Sequence, residues 1–123
     1  MKKLIKEIIY LMFRSGTSGR YNLRLYKREF RYYGQRLTRG WDDSELWNLD
    51  NTISEFVLPR LRRFKEYQSG HPSYMTEEEW SGILNQMILA FENNLVDFPT
   101  EEQDQQVEEG LALFAKYYSH LWD

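Results

Sequence analysis

Apolar residues recur along this chain at helical spacing, with polar residues filling the gaps. Residues 1–14 place Leu4, Ile5, Ile8, Ile9 and Met12 on one stripe, with Lys2, Lys3, Lys6, Glu7 and Tyr10 largely opposite. That is the pattern of an amphipathic helix. Residues 15–19 (SGTSG) follow as a short flexible turn. From Asn22, the positions Leu23, Tyr26, Phe30, Tyr33 and Leu37 run at 3-4-3-4 spacing, with Arg24, Lys27, Arg28, Arg31, Arg36 and Arg39 between them. This predicts a second helix, weakened at Gly34 and stopped by Gly40.

A third helix is predicted after Trp41, with cap candidates in Asp42, Asp43 and Ser44 and a buried face marked by Leu46, Leu49, Ile53, Phe56 and Val57. Pro59 removes a hydrogen bond inside it, and the reading is a kinked continuation through Leu61 and Phe64. After the loop at residues 68–72, Thr76 with Glu79 forms a capping box, and Met75 with Trp80 occupies the staple positions around it. Trp80, Ile83, Leu84, Met87, Ile88, Phe91 and Leu95 then give a helical stripe. The signal repeats after Pro99: Thr100 pairs with Gln103, and Val107, Leu111, Phe114, Tyr118 and Leu121 follow at 4-3-4-3 spacing. No segment alternates with period two. The expected fold is all-α, a single domain over residues 1–123 built as a compact bundle of about five helices, the third kinked at Pro59.

Charge changes this picture most. Residues 1–40 hold eleven Lys/Arg against two acids, while residues 41–123 hold five against seventeen. The whole-chain net charge of −3 conceals the split between a basic part (1–39) and an acidic helical body (40–123). The chain has no cysteine, which excludes disulfides, thiolate metal sites and a thiol nucleophile. The uncharged run from Ile8 to Phe13 is too short for a signal-peptide core or a membrane span. The expectation is therefore a soluble, intracellular protein without a membrane span.

Candidate chemistry is sparse. His71 and His120 show no ligand spacing, so no histidine metal site is expected. Asp42, Asp43, Glu45 and Asp50 form one acidic cluster and Glu77, Glu78 and Glu79 another. Either could hold Mg²⁺, but both coincide with helix starts, where the dipole favours acids without any metal. No cofactor motif is present, and no catalytic residue is assigned. Arg60, Arg63 and Lys65, with Arg62 between them, form a cationic cluster beside Pro59 suited to a phosphate or carboxylate. Tyr74, His71 and Trp41 are candidate contacts for such a ligand, Trp41 or Tyr74 by stacking on a ring. The competing reading pairs these cations with the surrounding acids. Trp47 and Trp80 are expected in the core. Arg20, Arg24, Lys27, Arg28 and Arg31 could bind nucleic acid with Tyr26, Tyr32 or Tyr33 stacking, the first helix with its three lysines could lie on an anionic membrane surface, or the basic helices could pack across the acidic body. The 3-4 stripes could also join two protomers into a homo-oligomer.

Residues 39–44 (RGWDDS), 47–50 (WNLD), 58–65 (LPRLRRFK), 76–80 (TEEEW), 110–118 (GLALFAKYY) and 121–123 (LWD) together resemble a family of small, largely uncharacterised accessory proteins of tailed bacteriophages. The resemblance spans about residues 39–123 and matches the first forty far less. It implies a phage accessory protein acting in the host cytoplasm by non-enzymatic binding. Such binding would block a host protein or sequester an anionic, nucleotide-like small molecule of host defence. The alternative is a nucleic-acid-associated phage protein using the basic N-terminal helices.

Overall fold

The computed structural model describes residues 2–3, 5–6, 19–67 and 70–122, with helix side chains from Leu23 onward. The predicted first helix lies largely outside them, as does the Arg20 side chain. The described residues form four α-helices rather than five: α1 (Gly19–Arg39), α2 (Leu49–Tyr67), α3 (Glu77–Asn94) and α4 (Glu101–Tyr117). Short 3-10 turns occupy Asp43–Leu46 and Tyr118–His120, and the described residues contain no strand. The chain divides into two compact units, Met1–Trp47 and Asn48–Asp123.

Within the first unit, α1 runs through Gly34 and ends where Gly40 adopts a left-handed φ of 84°. The Gly40 N–H donates to the Arg36 carbonyl at 2.9 Å, closing the last turn in the αL manner that favours glycine. The apolar stripe of α1 is not buried: Leu23, Phe30 and Leu37 are all exposed. The cap candidates at 42–44 also serve a different element from the one predicted. Asp42 caps the 3-10 turn, and the α-helix begins only at Leu49, after Asn48 takes a left-handed φ of 53°.

The second unit is a three-helix arrangement with α3 between α2 and α4. Thr76 and Thr100 each accept a hydrogen bond from the backbone N–H three residues on, and Glu79 and Gln103 accept from the cap N–H in return. Both predicted boxes are present. Trp80, Leu84 and Met87 are fully enclosed, and Phe91, Leu58, Leu61 and Tyr117 complete the core. Trp80 meets Tyr117 edge-on with ring centroids 5.8 Å apart, and Phe91 meets Phe114 at 5.1 Å.

Two buried faces differ from the expected ones. Helix α2 runs unbroken from Leu49 to Tyr67 with Pro59 inside it and without the expected kink, the helix continuing past the one hydrogen bond that proline cannot donate. It buries Ser54, Leu58 and Leu61, leaving Leu49, Ile53 and Phe56 exposed. The helix carries more apolar positions than one contact with α3 can cover, and the choice falls on the face that also offers Val57 and Phe64 to the core. In α4 the inward positions are Gly110, Leu113, Phe114 and Tyr117, while Leu111 and Tyr118 are exposed. Gly110 sets this rotation. A Cβ there would lie 2.3 Å from the Ala90 Cβ and 2.4 Å from the Gln86 carbonyl oxygen, so α3 and α4 approach closely only because none is present.

Gly110→Ala therefore forces backbone apart despite its better helix propensity. It should destabilise the second unit by about 1–3 kcal/mol, read as a lowered midpoint in urea titration of the full chain.

Candidate functional site

The basic cluster on α2 is largely engaged within the fold. Arg63 donates to Glu66 Oε2 at 2.9 Å and to the Tyr67 hydroxyl, and its guanidinium lies 3.8 Å above the Tyr67 ring. Arg60 donates to the Phe56 carbonyl at 2.9 Å and stacks on the Phe56 ring at 3.7 Å. Arg62 pairs with Glu92 at 2.7 Å, and Lys65 donates to Asn85 Oδ1 at 2.6 Å. His71 holds the Pro72 carbonyl at 2.9 Å through Nδ1, whereas the Tyr74 hydroxyl lies 3.2 Å from His120 Nε2. Tyr74 thus joins His120, and no described contact links it to Arg60, Arg63 or Lys65. A cavity of about 440 Å³ in this unit is lined by Tyr74, Met75, Glu78, Glu79, Gly82, Ile83, Gln86 and Tyr117. Its charged groups are acidic, which disfavours an anion.

The first unit contains a larger opening, an open groove of about 710 Å³ between α1 and the 3-10 turn. Arg28, Glu29, Tyr32 and Arg36 line it from α1, and Asp43, Ser44, Leu46 and Trp47 from the turn. A polar lock holds its two walls together. Asp42, 2% exposed, accepts from the Ser44 N–H at 2.8 Å, from the Ser44 hydroxyl and from Arg36. The Asp42 N–H donates to Glu45 Oε2 at 2.7 Å, completing a capping box. Asp43 accepts from Gln35 Nε2 at 2.7 Å and from Arg39, and its own N–H donates to Gln35 Oε1 at 2.9 Å.

These bonds occupy Asp42, Asp43 and Glu45 of the acidic cluster. Among the described residues, no group of three or more ligating side chains converges. Burial alone would raise the Asp42 carboxyl, but the hydrogen bonds from Ser44 and the Arg36 charge outweigh it, so its pKa lies below the ordinary value. Gln35 first and Arg39 second likewise lower Asp43.

The groove wall leaves other groups available. Trp47, expected in the core, is 83% exposed, because the turn that carries it ends beyond the cap network. Among the described residues, Arg28 pairs with Glu29 at 3.6 Å, a longer ion pair than those of Arg36 and Arg39. Trp41 lies beneath Arg39, whose guanidinium is 3.7 Å from the ring centroid. On the rest of α1, Arg24 and Lys27 are exposed with no ion pair among the described residues, and Arg31 sits 5.3 Å from the Tyr32 ring centroid. Pattern does not mark Arg36, Leu46 or Trp47 as ligand contacts. The Asp42-x-x-Glu45 spacing is the signal that could have revealed a separately capped turn.

Comparison with protein-family models, curated proteins and solved structures returns no match.

Because the folded-state pKa of Asp42 is depressed, its stabilisation is present above about pH 4. It is lost as pH falls through the folded value. Asp42→Ala should weaken the turn by about 1–2 kcal/mol, seen as faster amide exchange at Ser44 and Glu45. Asp42→Asn should flatten the acid-side dependence of that exchange.

Proposed function

We propose that this chain is a non-enzymatic binding protein whose first unit takes an anionic, nucleotide-like ligand in the groove between α1 and the 3-10 turn. Arg28 holds the phosphate or carboxylate, and Trp47 and Tyr32 offer their faces to a ring. One observation carries the reading: an aromatic side chain that is 83% exposed shares a groove with an arginine whose ion pair among the described residues, to Glu29, is long at 3.6 Å. Exposed indole surface of this kind favours stacking, and guanidinium favours planar oxyanions.

The surrounding field supports the same chemistry, since residues 1–47 carry eleven Lys/Arg against five acids. The cations of α2 support it less, because neighbouring side chains and carbonyls already occupy them. Resemblance of residues 39–123 to small phage proteins supports a setting in the infected host cell, where sequestering a nucleotide signal of host defence is a binding task. Groups for proton transfer or metal activation are not needed for it.

Titration calorimetry of the full chain with a panel of cyclic and linear nucleotides tests this. At least one member should bind, with Trp47→Ala and Arg28→Ala each weakening it about tenfold or more, as expected for a lost stacking face or charged hydrogen bond. Arg63→Ala should leave it unchanged. Absence of heat across the panel, or loss of binding only in Arg63→Ala, would overturn the assignment.

A further inference from the structure

The apolar stripe of α1 has a partner chemistry written into its surroundings. Leu23, Phe30 and Leu37 lie at seven-residue intervals and are 54%, 61% and 66% exposed. Tyr26 and Tyr33, half-buried, fall between them on the same face. The 3-10 turn attaches to the other side of the helix, through Gln35, Arg36 and Arg39. Lys27 borders the stripe, and Arg24 and Arg31 follow next around the helix, with no acid on that flank.

We propose that this face docks α1 flat on an anionic lipid bilayer. A helix with Leu, Phe and Tyr on one face and Lys/Arg on the other is built for the headgroup–acyl boundary. The apolar side chains enter the acyl region there, tyrosines sit at headgroup level, and cationic stems snorkel to the phosphates. At 21 residues, α1 extends about 31 Å along the surface. No described helix is long and apolar enough to cross a membrane, so the association is peripheral.

The other occupants account for less. Nucleic acid would engage Arg24, Lys27 and Arg31 but leave Leu23, Phe30 and Leu37 in water. A second α1 would cover the stripe yet bring like charges together, since the helix holds seven Lys/Arg against one acid. An anionic bilayer satisfies stripe and cations at once. The groove proposed for ligand lies toward the opposite side of α1, so neither interaction excludes the other.

Flotation of the full chain with phosphatidylcholine vesicles, with and without phosphatidylserine, reads the association directly. Binding should require phosphatidylserine, weaken about tenfold or more in Phe30→Glu, and fall about fivefold for each of Arg24→Glu and Lys27→Glu. The chain has no cysteine, so a polarity-sensitive dye can be placed at Phe30→Cys or Arg28→Cys alone. Emission should shift to the blue on vesicles for the first and stay aqueous for the second, a readout that holds even if Phe30→Glu misfolds. The proposal is overturned by absence of flotation with phosphatidylserine, or by a dye at residue 30 that stays aqueous on vesicles. Concentration-dependent burial of that dye without lipid would place a second copy on the stripe. DNA or RNA binding in the absence of vesicle binding would assign the cations to nucleic acid.

Discussion

The second unit depends on one close approach, the crossing of α4 over α3 at Gly110. The Gln86 carbonyl and the Ala90 methyl occupy the space a side chain would need. That contact brings the helices near enough for Tyr117 to reach Trp80 and for Phe114 to reach Phe91 in edge-on geometry. It also fixes the rotation of α4, which turns Leu111 and Tyr118 outward although their spacing fits a buried stripe. With α3 covered on that side, Leu58 and Leu61 of α2 close the remaining core. Asn93 then donates to Gln106 at 2.7 Å, and Asn94 to Ser54 at 3.0 Å, so polar groups at the seams keep their partners.

The first unit is held differently. Its one buried residue among those described is a carboxylate, Asp42, whose hydrogen bonds tie the 3-10 turn to the end of α1. A buried charge is tolerated only when paired and hydrogen-bonded, and Asp42 meets both conditions. The lock leaves little apolar surface covered. Trp47 stands in the groove and the Leu23–Leu37 stripe stands outside it, and those exposed groups supply the chemistry of both proposals.

The cations divide along the same line. In α2, Arg60 and Arg63 each stack on an aromatic ring of their own helix, and Arg62 reaches Glu92 across to α3. Such pairs contribute modestly at exposed positions, but they occupy donors that a ligand would need. Helix α1 has a single acid among its cations, so local pairing cannot neutralise it. The 3-10 turn pairs its Arg36 and Arg39, and both proposals draw on the remaining cations.

Local chemistry alone determined several features of this protein. The helical class follows from unbroken 3-4 spacing, and the starts of α3 and α4 follow from Thr76-Glu79 and Thr100-Gln103. The end of α1 at Gly40 and the burial of Trp80 were legible too, because caps, glycine stops and staples act within a few residues. Which face of α2 and α4 turns inward, the separate turn at Asp43–Leu46 and the exposure of Trp47 were decided only by tertiary structure. Each depends on a partner distant in sequence or on a side chain's absence: Gly110 against Gln86 and Ala90, and Asp42 against Arg36. A hydrophobic stripe states that a face prefers to leave water, and only the packed helices show whether the chain itself supplies the cover.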